Sequence, residues 1–274
     1  MKKLLFVLAL AIGVVALSAQ CKNKNMMEKT VPVPSFNNVT IMSNVTVRYT
    51  QDFKHSVKIV AEERDMDKVK VKVKDNTLLI YAETSKNEIG GVSFRTAKIL
   101  NKVVVYVTAP QLSTVRCEGV GDFIAMTDIL SPGRLDFSIA GAGDMSLKKV
   151  TAKDLYLSIA GAGDIDVQQV KTRKLTASVA GTGDIDIDKV DDQCSNAKLT
   201  VAGTGDIDAM FGGCDVLACI VAGTGDIKVS GNVKDFQSTV EGTGSVDRSG
   251  LVISGSRAVI HNRASSQKNI NARP

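Results

Sequence analysis

The chain has 274 residues, is 44% hydrophobic, and sets 34 Lys and Arg against 29 Asp and Glu, for a net charge of +5. Lys2 and Lys3 lie in a leader that holds no acid, so without residues 1–20 the charge falls by two to +3, too mild a balance to argue for nucleic acid. Aromatics make up 4% and Trp is absent, which weighs against aromatic platforms that stack on sugars or bases.

Residues 1–20 read as a secretory signal peptide. Lys2-Lys3 is a basic start, Leu4 to Val15 an apolar run, and Ala16-Leu17-Ser18-Ala19 a small-residue exit. The apolar run is shorter than the roughly 20 residues that span a bilayer. Cleavage after Ala19 would release a soluble protein; cleavage before Cys21 would expose a cysteine for lipidation. Leu17-Ser18-Ala19-Gln20-Cys21 resembles a bacterial lipobox, although Gln20 stands where a small residue is usual. The polar run after Cys21 suits a lipoprotein tether, so acylated Cys21 is the favoured reading. Residues 21–35, with Pro32 and Pro34, read as a polar linker.

Residues 36–111 predict irregular β coils and a cap. Val39 to Ile41, Val45 to Tyr49, Val57 to Ile59, Leu78 to Tyr81 and Val103 to Val107 are short segments, several of them alternating with period two. In the segment from Val69 to Lys74 the alternation is strict: Lys68, Lys70, Lys72 and Lys74 share one face and the valines the other. Such a comb could attract an anionic ligand, but a solvated strand face that blunts edge pairing explains it more simply. Asp75-Asn76 marks a turn, and Ser85 to Gly91 reads as a loop.

Residues 112–253 repeat one phrase. Its first glycines are Gly119, Gly141, Gly161, Gly181, Gly203, Gly223 and Gly242, with spacings of 22, 20, 20, 22, 20 and 19. A period near 20 over seven copies predicts stacked repeats. Around Gly161, Leu155, Leu157 and Ile159 alternate with polar residues; after Asp164, Ile165 and Val167 do the same. Each coil is therefore a strand, a tight Gly-x-Gly-Asp corner, a second strand, and a looser return marked by Val150, Val170 and Val190. Stacking buries two apolar columns, one through Ile139, Ile159, Val179, Val201, Val221 and Val240, the other through Met145, Ile165, Ile185, Ile207, Ile227 and Val246. The predicted fold is all-β: a parallel β-helix, a flattened two-sheet solenoid of ~20-residue coils. A stack of antiparallel hairpins is the alternative, but it would need a second turn signal as regular as the first. Residues 254–274 lose the pattern. Ala258 to Ile260 can form a last strand, and beyond His261 a frayed basic end is expected.

The corner glycines have a structural reason, either positive φ or close backbone approach. A phosphate cradle would need a helix to follow, and here a strand follows. Asp122, Asp144, Asp164, Asp184, Asp206 and Asp226 share one position of six coils. Stacked, they would repel one another, so each either caps a turn or shares a cation. Asp166, Asp186 and Asp208 form a second outward row, which Lys228 interrupts. Calcium prefers several oxygen ligands, which makes the corner acids weak metal candidates. The calcium β-roll pattern GGxGxD is absent, and turn capping is preferred. Cys194 and Cys214 each stand nine residues before a corner glycine, so adjacent coils bring them to disulfide range, and export permits oxidation. Cys117 and Cys219 fall at inward positions several coils apart and are expected to be buried and unpaired. His55 and His261 are the only histidines and sit in no recognisable motif. No catalytic residue and no cofactor is therefore assigned. A carbohydrate-active, lyase-like β-helix remains the enzymatic alternative, and an envelope stress-related ligand-binding module a further one.

With these residues in view, the chain resembles the head-GIN-domain family of auto-transporter adhesins, exported β-helix proteins of Bacteroidetes. The resemblance rests on Phe36-Asn-Asn-Val-Thr-Ile with Val45-Thr-Val-Arg-Tyr-Thr-Gln, on Val71-Lys-Val-Lys-Asp-Asn-Thr-Leu-Leu-Ile, on Val103-Val-Val-Tyr-Val-Thr-Ala-Pro, and on the Gly-x-Gly-Asp corners. It implies a right-handed β-helix shaped like pectin lyases but lacking their catalytic residues. It also implies a non-enzymatic adhesive or envelope-scaffold role in a Gram-negative cell envelope, on the outer membrane if Cys21 is acylated, otherwise periplasmic or secreted. The expected partners are a surface glycan or a protein, and the membrane through a Cys21 anchor; self-association is compatible with the fold. No family binding site maps onto individual residues.

Overall fold

A computed structural model describes residues 26–89, 92–97, 100, 102–255 and 257–262. The signal-peptide and Cys21 readings lie outside these residues, as does the tail beyond 262. The fold is a β-solenoid of about seven turns, its coils stacked in parallel behind N-terminal strands. Alternation dictates it: each coil's strands bury every second side chain and show the others to solvent.

One sheet stacks Thr114–Cys117, Arg134–Ile139, Asp154–Ile159, Lys174–Val179 and Cys194–Val201. The facing sheet stacks Asp122–Ala125, Met145–Thr151, Ile165–Lys171 and Ile185–Val190. The next two coils run through the return as single strands, Ile207–Val221 and Ile227–Val240, which join the two faces into one hydrogen-bonded array. Register is in phase from coil to coil. Ile139 pairs Ile159, Ile159 pairs Val179 and Val179 pairs Val201 on one side; Met145, Ile165, Ile185, Ile207 and Ile227 align on the other. These residues are buried, while Val240 and Val246 in the last coil are only partly covered.

The N-terminal part supplies the first coil and its cap. Asn38–Ile41 and Thr46–Gln51 run parallel to Thr114–Cys117 and Asp122–Ala125. Below them the pairing turns antiparallel: Val69–Lys74 on Thr77–Ala82, and Ser56–Glu62 on Val104–Ala109. Among the described residues Val69–Lys74 is in register with Thr77–Ala82 alone, so the lysine comb lies on a sheet edge, where charge discourages further pairing. Tyr49 and Phe123 stack inside with centroids 5.8 Å apart, and Phe137 follows at 6.1 Å. The Tyr49 hydroxyl donates to Ala109 O at 2.9 Å, and burial pushes its pKa up.

Two segments depart from the sequence reading. Met26–Val31, inside the expected linker, is a strand antiparallel to Ser56–Glu62. Its polarity suits an edge strand whose side chains mostly meet water. The expected loop from Ser85 is a hairpin, Thr84–Ile89 against Val92–Ala97.

Candidate functional site

The Gly-x-Gly-Asp column was the first candidate. Its glycines are set by close approach. Gly231, outside the column, is the one described glycine with positive φ, at 94°. A methyl added at Gly161 would lie 1.8 Å from Gly141 O, and one at Gly183 would lie 2.0 Å from Gly163 O. The approach exists because the residue between the glycines donates to the coil below: Ala162 N to Gly141 O at 2.9 Å, Thr182 N to Gly161 O at 3.0 Å.

The aspartates cap the neighbouring coil rather than their own turn. Asp164 N donates to Asp144 Oδ1 at 3.0 Å, Asp184 N to Asp164 Oδ1 at 2.8 Å, Asp206 N to Asp184 Oδ1 at 2.7 Å and Asp226 N to Asp206 Oδ1 at 2.6 Å. Ser245 ends the series, donating from N and Oγ to Asp226 Oδ1 at 2.6 and 2.9 Å. A backbone amide thus stands between successive carboxylates and offsets their repulsion. Among the described residues no three His, Cys, Asp or Glu converge as a metal-binding group.

The second acid row is under more strain. Asp166, Asp186 and Asp208 are register neighbours on one outward face. Partial burial, then the carboxylates of Asp164, Asp144 and Asp188, push the Asp166 pKa up. Burial, then Asp166 and Asp208, do the same to Asp186. Lys228 relieves the end of the row through a 2.7 Å ion pair with Asp208.

Cys194 and Cys214 are register partners on adjacent coils and both are buried. Both are free thiols, with sulfurs 3.4 Å apart, so the expected bridge is absent from the structure although its partners are adjacent. The hydrogen bond to Cys214, then burial, pushes the Cys194 thiol up, and the same bond holds Cys214 down. Cys117 and Cys219 are buried and free, each pushed up to about 12 by burial. His55 lies on Phe36 O at 3.0 Å in the N-terminal part, whereas His261 is on the last described strand, so the two do not meet.

The match of an ordered N-terminal strand set to seven Gly-x-Gly corners, six of them followed by Asp, is reflected in the family model described as "Putative auto-transporter adhesin, head GIN domain", which matches residues 35–211 and 192–273. The chain belongs to this family. Among solved structures, a "putative adhesin" of Bacteroides fragilis is 21% identical with a TM-score of 0.68, covering 82% of this chain and 97% of its own. A "putative adhesin" of Parabacteroides merdae is 21% identical, TM-score 0.65, with the same coverage. A "putative lipid binding protein" of Parabacteroides distasonis is 20% identical, TM-score 0.57, covering 88% of this chain and 98% of its own. At these identities the likeness is one of fold. No curated protein matches the sequence.

In this head-GIN chain two outward depressions were not apparent from the sequence pattern. One, of about 290 Å³, lies on the first sheet around Tyr156. There Arg134 stacks on the Tyr156 ring at 3.8 Å and grips Asp136 with two bonds of 2.8 and 2.9 Å. The other, of about 400 Å³, follows the return corner and is lined by Lys153, Lys171 and Arg173 without any carboxylate. The signal for it was the basic return segments, Lys148-Lys149 with Lys153, and Lys171 with Arg173-Lys174, of which Lys153 and Arg173 lie one coil period apart.

Proposed function

We propose that the protein is an exported, non-enzymatic adhesin of the bacterial cell envelope, lipid-anchored through Cys21, which presents its solenoid faces to a surface ligand. The observation that carries this reading is the regularity of the polar groups. The corner acids are tied to backbone amides of the next coil, and the histidines lie on the N-terminal part and on the last described strand. Catalysis needs groups that differ from their neighbours and converge on a reacting atom; here the groups repeat. Membership of an adhesin family supports the same reading. In the oxidising envelope Cys194 and Cys214 are expected to join.

The test is a glycan and host-surface binding array beside a turnover assay on acidic polysaccharides, with the intact mass of the mature protein. Binding without cleavage, on a chain that begins at an acylated Cys21, supports the proposal. Cleavage abolished by a single acid-to-amide change would overturn it in favour of a lyase-like enzyme.

A further inference from the structure

The return-corner groove gathers three cationic residues in a lining that holds no carboxylate. Elsewhere several cations are matched: Lys58 with Glu28, Lys228 with Asp208, Lys234 with Asp215, and Arg134 with Asp136. Among the described residues Lys153, Lys171 and Arg173 have no ion-pair partner. They are held close by the stack. Arg173 N donates to Lys153 O at 3.2 Å, which sets those residues one coil apart, and Lys171 pairs with Thr151 of the same lower coil. One coil rises by roughly 4.8 Å, so the three cations gather along one corner, and the nearest carboxylate in register, Asp191 of the next coil, accepts from Gln169 Nε2 at 2.8 Å.

The corner beneath them is rigid. Buried Thr172 donates or shares its Oγ1 proton with Lys153 O and Lys174 O, both at 3.0 Å, bracing the two coils. Leu130 and Pro132 add an apolar wall and Gln193 a polar one. Cationic residues whose backbones are set at coil spacing, with an apolar ledge beside them, match a linear polymer with one anionic group per short repeat, whose axis follows the solenoid. The rise of one coil is comparable with the length of a pyranose unit along such a chain.

We infer that the groove lined by Lys153, Lys171 and Arg173 binds an acidic polysaccharide, through ion pairs between these side chains and the carboxylates or sulfates of successive sugars. This rests on the adhesive reading and names its ligand class. The attraction between these cations and the polymer's anions supplies the binding free energy.

The experiment uses the full mature chain and three polymers: polygalacturonate, dextran sulfate and neutral dextran. Lys171→Glu with Arg173→Glu is the groove variant, and Lys198→Glu on the first sheet the control; circular dichroism checks that each is folded. Expected are binding to the acidic polymers and not to dextran, weakening with salt, and a loss of about tenfold or more in the groove variant with little change in the control. The carboxylate and sulfate arms tell which anion is preferred. Equal binding of dextran, an unaffected groove variant, or an equal loss in the control would overturn the groove. If the unmodified protein binds other surfaces on the array but the groove variant is unaffected, the groove fails and the adhesive reading stands. If polygalacturonate binds through the groove but no cell or matrix surface is held, the groove stands and the adhesive reading fails.

Discussion

Replacing Gly161 by Ala tests whether the repeated corner is a packing device or a ligand motif. The added methyl would sit 1.8 Å from Gly141 O, 2.8 Å from Gly141 C and 3.1 Å from Gly141 N. All three are backbone atoms, so no side chain can swing away. Relief requires the two corners to part by more than an ångström. That would break the 2.9 Å bond from Ala162 N to Gly141 O and strain the 3.0 Å bond from Asp164 N to Asp144 Oδ1. Overpacking costs about 1–3 kcal/mol, and each lost hydrogen bond adds about 0.5–1.5 kcal/mol, so a total of about 2–4 kcal/mol is expected. Ala162→Ser is the control, because position 162 is exposed and should change stability by less than about 0.5 kcal/mol. Urea unfolding followed by circular dichroism measures both. Since coils are stabilised by their neighbours, Gly161→Ala should also increase hydrogen exchange in the coils on either side. A Gly161→Ala protein as stable as the unmodified chain would refute the close-approach argument and return the corner to the list of binding motifs.

Three further outcomes follow from the same geometry. Asp184→Ala removes the acceptor for Asp206 N and should lower stability by about 1 kcal/mol, whereas Asp184→Asn keeps an acceptor and sheds a charge, so its urea midpoint should match or exceed that of the unmodified chain. Asp186 carries a folded-state pKa above its unfolded value, so the folded state binds the extra proton. Stability should then be flat near neutral pH, rise as pH falls through the raised pKa, and level off below the ordinary carboxylate value of about 3.9. Asp186→Asn should be more stable at neutral pH and show a smaller pH-dependent gain in thermal melting; an unchanged profile would count against the strained row. Oxidation of Cys194 and Cys214 would close a span of 20 residues, worth about 3 kcal/mol in the chain-entropy account. A non-reducing peptide map of exported protein should show the pair joined and its melting temperature lowered by reductant, an effect that Cys194→Ser abolishes.

How far the sequence carried depended on whether the needed partner was local. Ile159 and Ile165 show inward orientation through alternation alone, and the fixed period shows that coils stack in register. The corner glycines announce that no side chain fits. Only the structure distinguishes backbone approach from positive φ, because the obstructing atom, Gly141 O, lies twenty residues earlier. The aspartates are similar: a turn cap was legible, but its donor belongs to the next coil. Met26–Val31 escaped because an edge strand buries little, so its polarity looks like that of a linker. The hairpin from Thr84 escaped for a related reason, as its strands pair with each other and not with the solenoid stack. Lys153, Lys171 and Arg173 escaped because their polar positions vary from coil to coil, so only the valines of the return, Val150, Val170 and Val190, stand out as periodic.

The two corners of the coil therefore divide the work. At the Gly-x-Gly-Asp corner a hydrogen-bond acceptor on each aspartate is directed into the stack, and the glycines admit only backbone. Substitution there disturbs neighbouring coils, so repetition follows from packing and carries little information about a ligand. At the return corner the hydrophobic requirement falls on a few positions, Val150, Val170, Val190 and Phe211, which pair from coil to coil. The exposed residues between them are free to vary without breaking a ladder. Lys149 pairs with Gln169, and Thr151 with Lys171, so the chemistry changes along this edge while the fold does not. A solenoid built this way can change its surface chemistry at the irregular return while the repeated turn keeps its stability. The seven-fold phrase that dominates the sequence is thus the part least suited to choosing a partner.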